Sequence, residues 1–172
     1  NKIEEIESIE SESGKKIESL KEFRIFPANI FVASKEIVQS SVKQIQDDLV
    51  IRLDEFEESG LKTESKRLDE RVNFDLEMIK ELGYCSGIEN YSRYFDGREA
   101  GSRPFCLLDY FPKDFITVVD ESHVTLPQVR AMYGGDKSRK TNLVEHGFRL
   151  PSALDDRPLK FEEWEEINKQ TI

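Results

Sequence analysis

The sequence predicts an α/β protein with a mainly helical insert, and three observations lead there. Four of the five residues 115–119 (FITVV) are apolar, and Asp120 and Glu121 stand where the run ends. An apolar stretch of that length, bounded by Pro112 and Asp114, suits a strand buried on both faces of a parallel sheet. Two long stretches before it repeat apolar residues at helical spacing, which sets a helical hairpin beside the sheet. Open sheets of this kind place ligands beyond the carboxyl ends of their strands, which is where Asp120 and Glu121 fall.

Taken in order, the elements have local causes. In residues 1–22, Ile3, Ile6, Ile9, Ile17 and Leu20 flank the turn-like Ser11-Glu12-Ser13-Gly14, which predicts two short strands joined at Gly14. Residues 23–32 (FRIFPANIFV) read as an extended apolar segment broken by Pro27. Ser34 is the N-cap of a long helix ended by Gly60, with Val38, Val42, Ile45, Leu49, Leu53 and Phe56 on one stripe. A second helix over 63–82 carries Leu68, Val72, Leu76, Ile79 and Leu82, with Gly83 beyond its end. The short gap between the two predicts an antiparallel hairpin with acidic, solvated outer faces.

Residues 84–103 are rich in glycine and aromatic side chains (Tyr91, Tyr94, Phe95) and read as a loop whose rings plug the seam between helical and α/β parts. After the acidic pair, a helix containing Val129 and Met132 leads to Tyr133-Gly134-Gly135-Asp136-Lys137-Ser138. This is not a phosphate loop: GxxxxGK[ST] needs Gly and Lys adjacent after a strand, and here Asp136 intervenes. No other candidate occurs in the 172 residues. Pro151 and Pro158 interrupt regular structure, and 159–167 (LKFEEWEEI) is an amphipathic helix with Phe161, Trp164 and Ile167 on its apolar side.

Composition sets the class. About a third of the residues are charged and a tenth aromatic, as in globular proteins, and no apolar run reaches membrane-spanning length. Cys85 and Cys106 are isolated, which reads as two reduced cytosolic thiols and a cytoplasmic protein with no membrane partner. The net charge of −10 opposes nucleic-acid binding on its face. Most of that charge lies before residue 84, however, and Arg130, Lys137, Arg139 and Lys140 face only Asp136, so a local basic face is open to the chain.

An apolar strand ending in Asp120-Glu121, with His123 two residues on, resembles the Walker B element of a helicase motor. There Asp120 would hold Mg²⁺ through a water, Glu121 would orient the attacking water, and His123 would sense the γ-phosphate. The other reading of the tetrapeptide is a solvated acidic turn with His123 as a bystander. The blocks GYCSGIENYSR (83–93), LLDYFPKDF (107–115), VDESHVTLPQVRAMYGGDKSRK (119–140) and GFRLPSALDDRPLKFEE (147–163) together resemble the B subunit of the bacterial excinuclease ABC, the damage-verifying motor of nucleotide excision repair.

That resemblance implies a partial RecA-like P-loop NTPase domain, its Walker B half. It divides the chain into 1–27, the remnant of a β-rich domain that docks the A protein of the excinuclease, 28–103, the helical insert, and 104–172, the later part of the first RecA-like domain. It implies ATP and Mg²⁺ as cofactors of the full-length protein, and the excinuclease A and C proteins and damaged DNA as partners. It makes 147–156 a coupling motif, with Phe148 and Arg149 beside a bound strand, Phe31 completing a pocket for a displaced base, and Glu89 taking a basic residue from a β-hairpin tip. It also implies a phosphate loop upstream of residue 1 and an arginine finger on a second motor domain, so that this segment alone hydrolyses no ATP. Two other classes remain open. One is a stand-alone acidic helical interaction module. The other is a hydrolytic metal site at Asp120, Glu121 and His123, disfavoured because strand neighbours face opposite ways.

Overall fold

The structure, a computed structural model, describes residues 3–23 and 33–172, which belong to two separate units. In the first, strands β1 (Ile6–Ile9) and β2 (Lys16–Leu20) pair antiparallel, Ile6 opposite Leu20, with an irregularity between Ser8 and Ile9. The turn closes through Glu10 N–H to Lys15 O at 2.9 Å and Gly14 N–H to Glu10 O at 2.9 Å, with Gly14 in the left-handed region at φ 67°. This is the two-strand arrangement expected about Gly14. Lys16 reaches both Glu5 and Glu7 across the pair.

The second unit is built on helices α1 (Lys35–Glu58) and α2 (Lys62–Leu82). Ser34 caps α1 as expected, its hydroxyl accepting from Ile37 N–H at 3.4 Å. Val42, Ile45, Leu49 and Phe56 are buried against Leu68, Val72, Leu76 and Ile79, each contributing roughly 1.5–3 kcal/mol by leaving water. The spacing that predicted the stripes therefore also makes the interface. Val38 and Leu53 are half-buried, and Leu82, the last residue of α2, is 68% exposed.

The segment expected as a loop is instead ordered on this hairpin. A 3₁₀ turn (Ile88–Tyr91) runs into helix α3 (Ser92–Asp96), and the Tyr91 and Tyr94 rings are buried. Tyr91 O–H donates to Asp75 Oδ2 at 2.8 Å, Ser41 O–H to Tyr94 O at 2.9 Å, and Tyr94 O–H to Asp48 Oδ2 at 2.6 Å. These bonds anchor the segment to both hairpin helices.

The α/β expectation is corrected: the chain is mostly helical, and the named sheet among the described residues is the β1/β2 pair. Residues 115–119 are extended but form only an isolated parallel bridge, Thr117 with Thr171, closed by Thr117 N–H to Gln170 O at 3.0 Å and Ile172 N–H to Thr117 O at 2.9 Å. Ile116 is 55% and Val118 73% exposed, so one face of the segment carries no packing partner and the strand buried on both faces is not formed. An apolar run signals burial but cannot supply the neighbouring strands that would provide it.

Helix α4 (Ser122–Glu145) follows and continues without a break through Pro127 and through Gly134-Gly135. Only Lys140 and Val144 are buried along it. Gly147, at φ 69°, turns the chain into a further 3₁₀ element (Pro151–Asp155) with Leu150, Ser152 and Ala153 buried. Ser152 O–H donates to Asn90 O at 2.8 Å, and Asp155 accepts from Gly101 N–H at 2.7 Å, which fastens this element to the tyrosine segment. Helix α5 (Phe161–Ile167) closes the fold with Phe161 stacked on Trp164 at 5.5 Å. The Arg130 guanidinium of α4 lies 3.9 Å from the Phe161 ring centroid. Among the described residues no helix is long and apolar enough to cross a membrane.

Candidate functional site

Asp120 and Glu121 form the corner at which the extended segment becomes α4. Asp120 Oδ1 accepts from Glu121 N–H at 2.9 Å, and the Asp120 carbonyl accepts from the Thr125 hydroxyl at 2.9 Å. The Glu121 carbonyl then takes the first helical donors, Val124 N–H at 2.8 Å and Thr125 N–H at 3.0 Å. Glu121 itself sits in the left-handed region at φ 48° and ψ 48°, the one non-glycine residue with positive φ among those described. Holding an L-residue there costs of order 1 kcal/mol, and both acids beside the helix N-terminus gain from its dipole.

The side chains reach water. Glu121 Oε2 lies 3.4 Å from His123 Nδ1, with side-chain exposures of 71% and 76%. Asp120 keeps one oxygen clear of its backbone bond, which is the hard oxygen donor that an outer-sphere Mg²⁺ needs. Among the described residues no group of three or more His, Cys, Asp or Glu side chains is arranged to hold a metal by itself. The donors at this corner thus fit an ion carried in by phosphates and do not make a closed cage. The Gly134-Gly135-Asp136-Lys137 stretch lies inside α4 and offers no loop of free amides to cradle those phosphates.

The residues expected beside nucleic acid lie at the other end of α4, about 36 Å away for a helix of 24 residues. Phe148 is half-exposed, and the Arg67 guanidinium covers its ring at 4.2 Å from the centroid while donating to His146 O at 2.5 Å. Arg149 donates to the Phe148 carbonyl at 2.8 Å and approaches Gly87, where a Cβ would stand 3.8 Å from its Nη2. Glu89 is exposed in the adjacent 3₁₀ turn. Phe31 lies outside the described residues. The structure therefore gathers Arg149 and the 87–90 turn, keeps Asp120, Glu121 and His123 together, and separates the two groups.

The basic cluster of α4 is distributed differently from its sequence spacing. Lys140 is buried, with Nζ 3.1 Å from Asp136 Oδ2 and 3.3 Å from Asp156 Oδ2, and Arg139 pairs with Asp136 at 2.9 Å. Lys137 instead turns toward Tyr133, at the mouth of a cleft of about 300 Å³ whose lining also includes Lys160 and Arg157. Arg157 holds Glu163 through two bonds of 2.8 Å, and this guanidinium draws the Glu163 carboxyl down to about 2. Sequence reasoning missed Tyr133, Arg157 and Lys160; the signal available was the i, i+4 spacing of Tyr133 and Lys137 on one helix face.

Residues 36–97 match the family described as UvrB third helical domain, which takes in α1, α2 and the tyrosine segment. UvrABC system protein B of Cytophaga hutchinsonii is 60% identical over 172 residues, covering 100% of this chain and 26% of that protein. The proteins of the same name from Bacteroides fragilis and Chlorobaculum tepidum are 58% and 56% identical, each again over 100% of this chain and 25% of their own length. The chain spans about a quarter of the length of the curated relatives it matches.

Proposed function

We propose that this chain, which belongs to the UvrABC system protein B family, is a segment of a nucleotide-excision-repair protein that couples nucleotide hydrolysis to its hold on damaged DNA. The observation that carries this reading is identity of 60% sustained over all 172 residues. Within the full-length protein, residues 104–172 form the later part of a RecA-like motor domain, 28–103 its helical insert, and 1–27 the edge of a domain that docks the A protein of the excinuclease. The excinuclease C protein and damaged DNA are the further partners of that cytoplasmic assembly.

The roles of the residues follow from their chemistry. Mg²⁺-ATP, when bound, supplies the bond to be cleaved and the cation that neutralises its phosphates. Asp120 would hold that cation with the oxygen it does not spend on Glu121 N–H. Glu121 would orient the attacking water and accept its proton, and His123, 3.4 Å from that carboxylate, would sense the γ-phosphate. Helix α4 runs from this corner to 147–156, so it joins the acidic pair to Phe148 and Arg149 at the strand-holding end. Glu89 receives a basic hairpin residue.

The test is Glu121→Gln in the full-length protein. Nucleotide affinity stays near wild type while turnover falls roughly 10²- to 10⁴-fold. Turnover close to wild type removes Glu121 from the role of water-orienting base. The 172-residue chain by itself shows no ATP turnover, since it carries no GxxxxGK[ST] sequence to seat the phosphates.

A further inference from the structure

The ring of Tyr133 is approached by three cations from two parts of the chain, α4 and the 157–160 segment. Lys137 Nζ stands 6.0 Å, the Arg157 guanidinium 5.3 Å and Lys160 Nζ 5.4 Å from its centroid. Arg157 is neutralised by Glu163, at two bonds of 2.8 Å. Lys140, further in, is neutralised by Asp136 and Asp156. Lys137 and Lys160 differ: among the described residues neither ammonium has a carboxylate within ion-pair distance.

Two uncompensated like charges drawn to one ring repel each other, and either lysine has the reach to swing into water instead. An anion between them turns that repulsion into attraction. The ring sets the kind of anion. A carboxylate peptide gains nothing from an aromatic face beside its charge, whereas a nucleotide unit presents a phosphate and a planar base together and can use both. The cleft's volume, about 300 Å³, takes a compact ligand of that size and leaves no room for a duplex.

We propose that Tyr133, Lys137 and Lys160 form a phosphate subsite that holds one nucleotide unit of a single DNA strand, the phosphate between the two ammonium groups and the base against the tyrosine ring. The choice of DNA rests on the functional reading above; the choice of a phosphate rests on the cleft alone. The subsite is distinct from the acidic corner, which repels a phosphate that brings no cation, and from Phe148 and Arg149.

The experiment is fluorescence anisotropy of a labelled oligo-dT with the full-length protein across a range of KCl concentrations. Lys137→Gln with Lys160→Gln weakens binding about tenfold at moderate salt and lowers the slope of log K against log[KCl] by about 0.7, the contribution of the one single-strand phosphate that the two ammonium groups share. Tyr133→Phe keeps wild-type affinity, and Tyr133→Leu loses roughly fivefold or more. Melting curves of all variants within a few degrees of wild type establish that they are folded, and the salt slope reads the contact independently of stability. A wild-type slope in the double-lysine variant, or equal affinities for Tyr133→Leu and Tyr133→Phe, overturns the subsite. Loss of Mg²⁺-ATP affinity with oligo-dT binding unchanged assigns the phosphate to free nucleotide and overturns the DNA assignment. Wild-type protein without oligo-dT affinity overturns the broader functional reading as well, whereas wild-type binding with unaffected variants overturns the subsite alone.

Discussion

Gly147 lies directly against the backbone of Glu64: a Cβ built on the glycine would stand 2.8 Å from the Glu64 carbonyl carbon. The contact seats the end of α4 on the first turn of α2, and Arg67, one turn further along α2, secures it by donating to His146 O. Gly147→Ala would meet both a left-handed backbone at φ 69° and a backbone neighbour that cannot yield. The expected loss is about 2–4 kcal/mol in urea denaturation of the 172-residue chain. A loss under about 0.5 kcal/mol would show that the two segments separate freely.

Asp75 is a buried carboxylate held by Arg71 Nε at 2.9 Å and by the Tyr91 hydroxyl at 2.8 Å, while its Oδ1 has no partner among the described residues. Burial first, and the carboxylate second, push the Tyr91 hydroxyl far up, so it remains a donor throughout the working pH range. Tyr91→Phe leaves Asp75 with Arg71 alone and is expected to cost about 1–2 kcal/mol. Thermal unfolding measures it. An unchanged midpoint would mean that water replaces the hydroxyl at no cost.

The Arg157–Glu163 pair gives the chain an acid-sensitive joint between the 151–155 turn and α5. Because the folded Glu163 carboxyl is depressed from 4.5 to about 2, its stabilisation is fully present above pH 4.5 and disappears as pH falls toward 2. Glu163→Gln should lower the midpoint at pH 6 and flatten its fall between pH 4.5 and 2. Part of the fall remains, since Arg103 likewise holds the Asp109 carboxyl well below the usual carboxylate range. Parallel wild-type and variant curves over that window would remove Glu163 as a contributor.

Cys85 and Cys106 should part company under alkylation at pH 8. Cys85 is fully buried, and burial followed by the nearby Asp75 charge pushes its thiol up to about 12. Cys106 is half-buried with a path to solvent. Intact-mass measurement is expected to find one adduct on the folded chain and two after denaturation. Equal labelling rates at both sites would contradict the packing around Tyr91.

Some of this architecture was written in local pattern. The apolar spacing from Val38 to Phe56 and from Leu68 to Ile79 set both hairpin helices and their shared face, and Ser34, Gly14 and Gly83 marked ends by backbone chemistry that is strictly local. Residues 115–119 misled because an apolar run reports a preference for burial, while burial needs partners from elsewhere. Helix α4 outlasted Gly134-Gly135 because the turns on either side continue the hydrogen-bond ladder, a cooperative effect invisible at single positions. At the acidic corner, the order Asp120, Glu121, His123 was plain, but the left-handed turn at Glu121 that begins the helix was not. The cleft was least visible, since Tyr133 and Lys160 meet only after the chain has turned at Gly147 and again at Pro158.

The two glycines at the centre of α4 leave that rod without flanking side chains midway between the acidic corner and the Gly147 bend. Glycine lowers helix propensity by about 1 kcal/mol per residue relative to alanine, so the hydrogen-bond ladder of α4 is intrinsically weakest at Gly134 and Gly135, immediately after Tyr133.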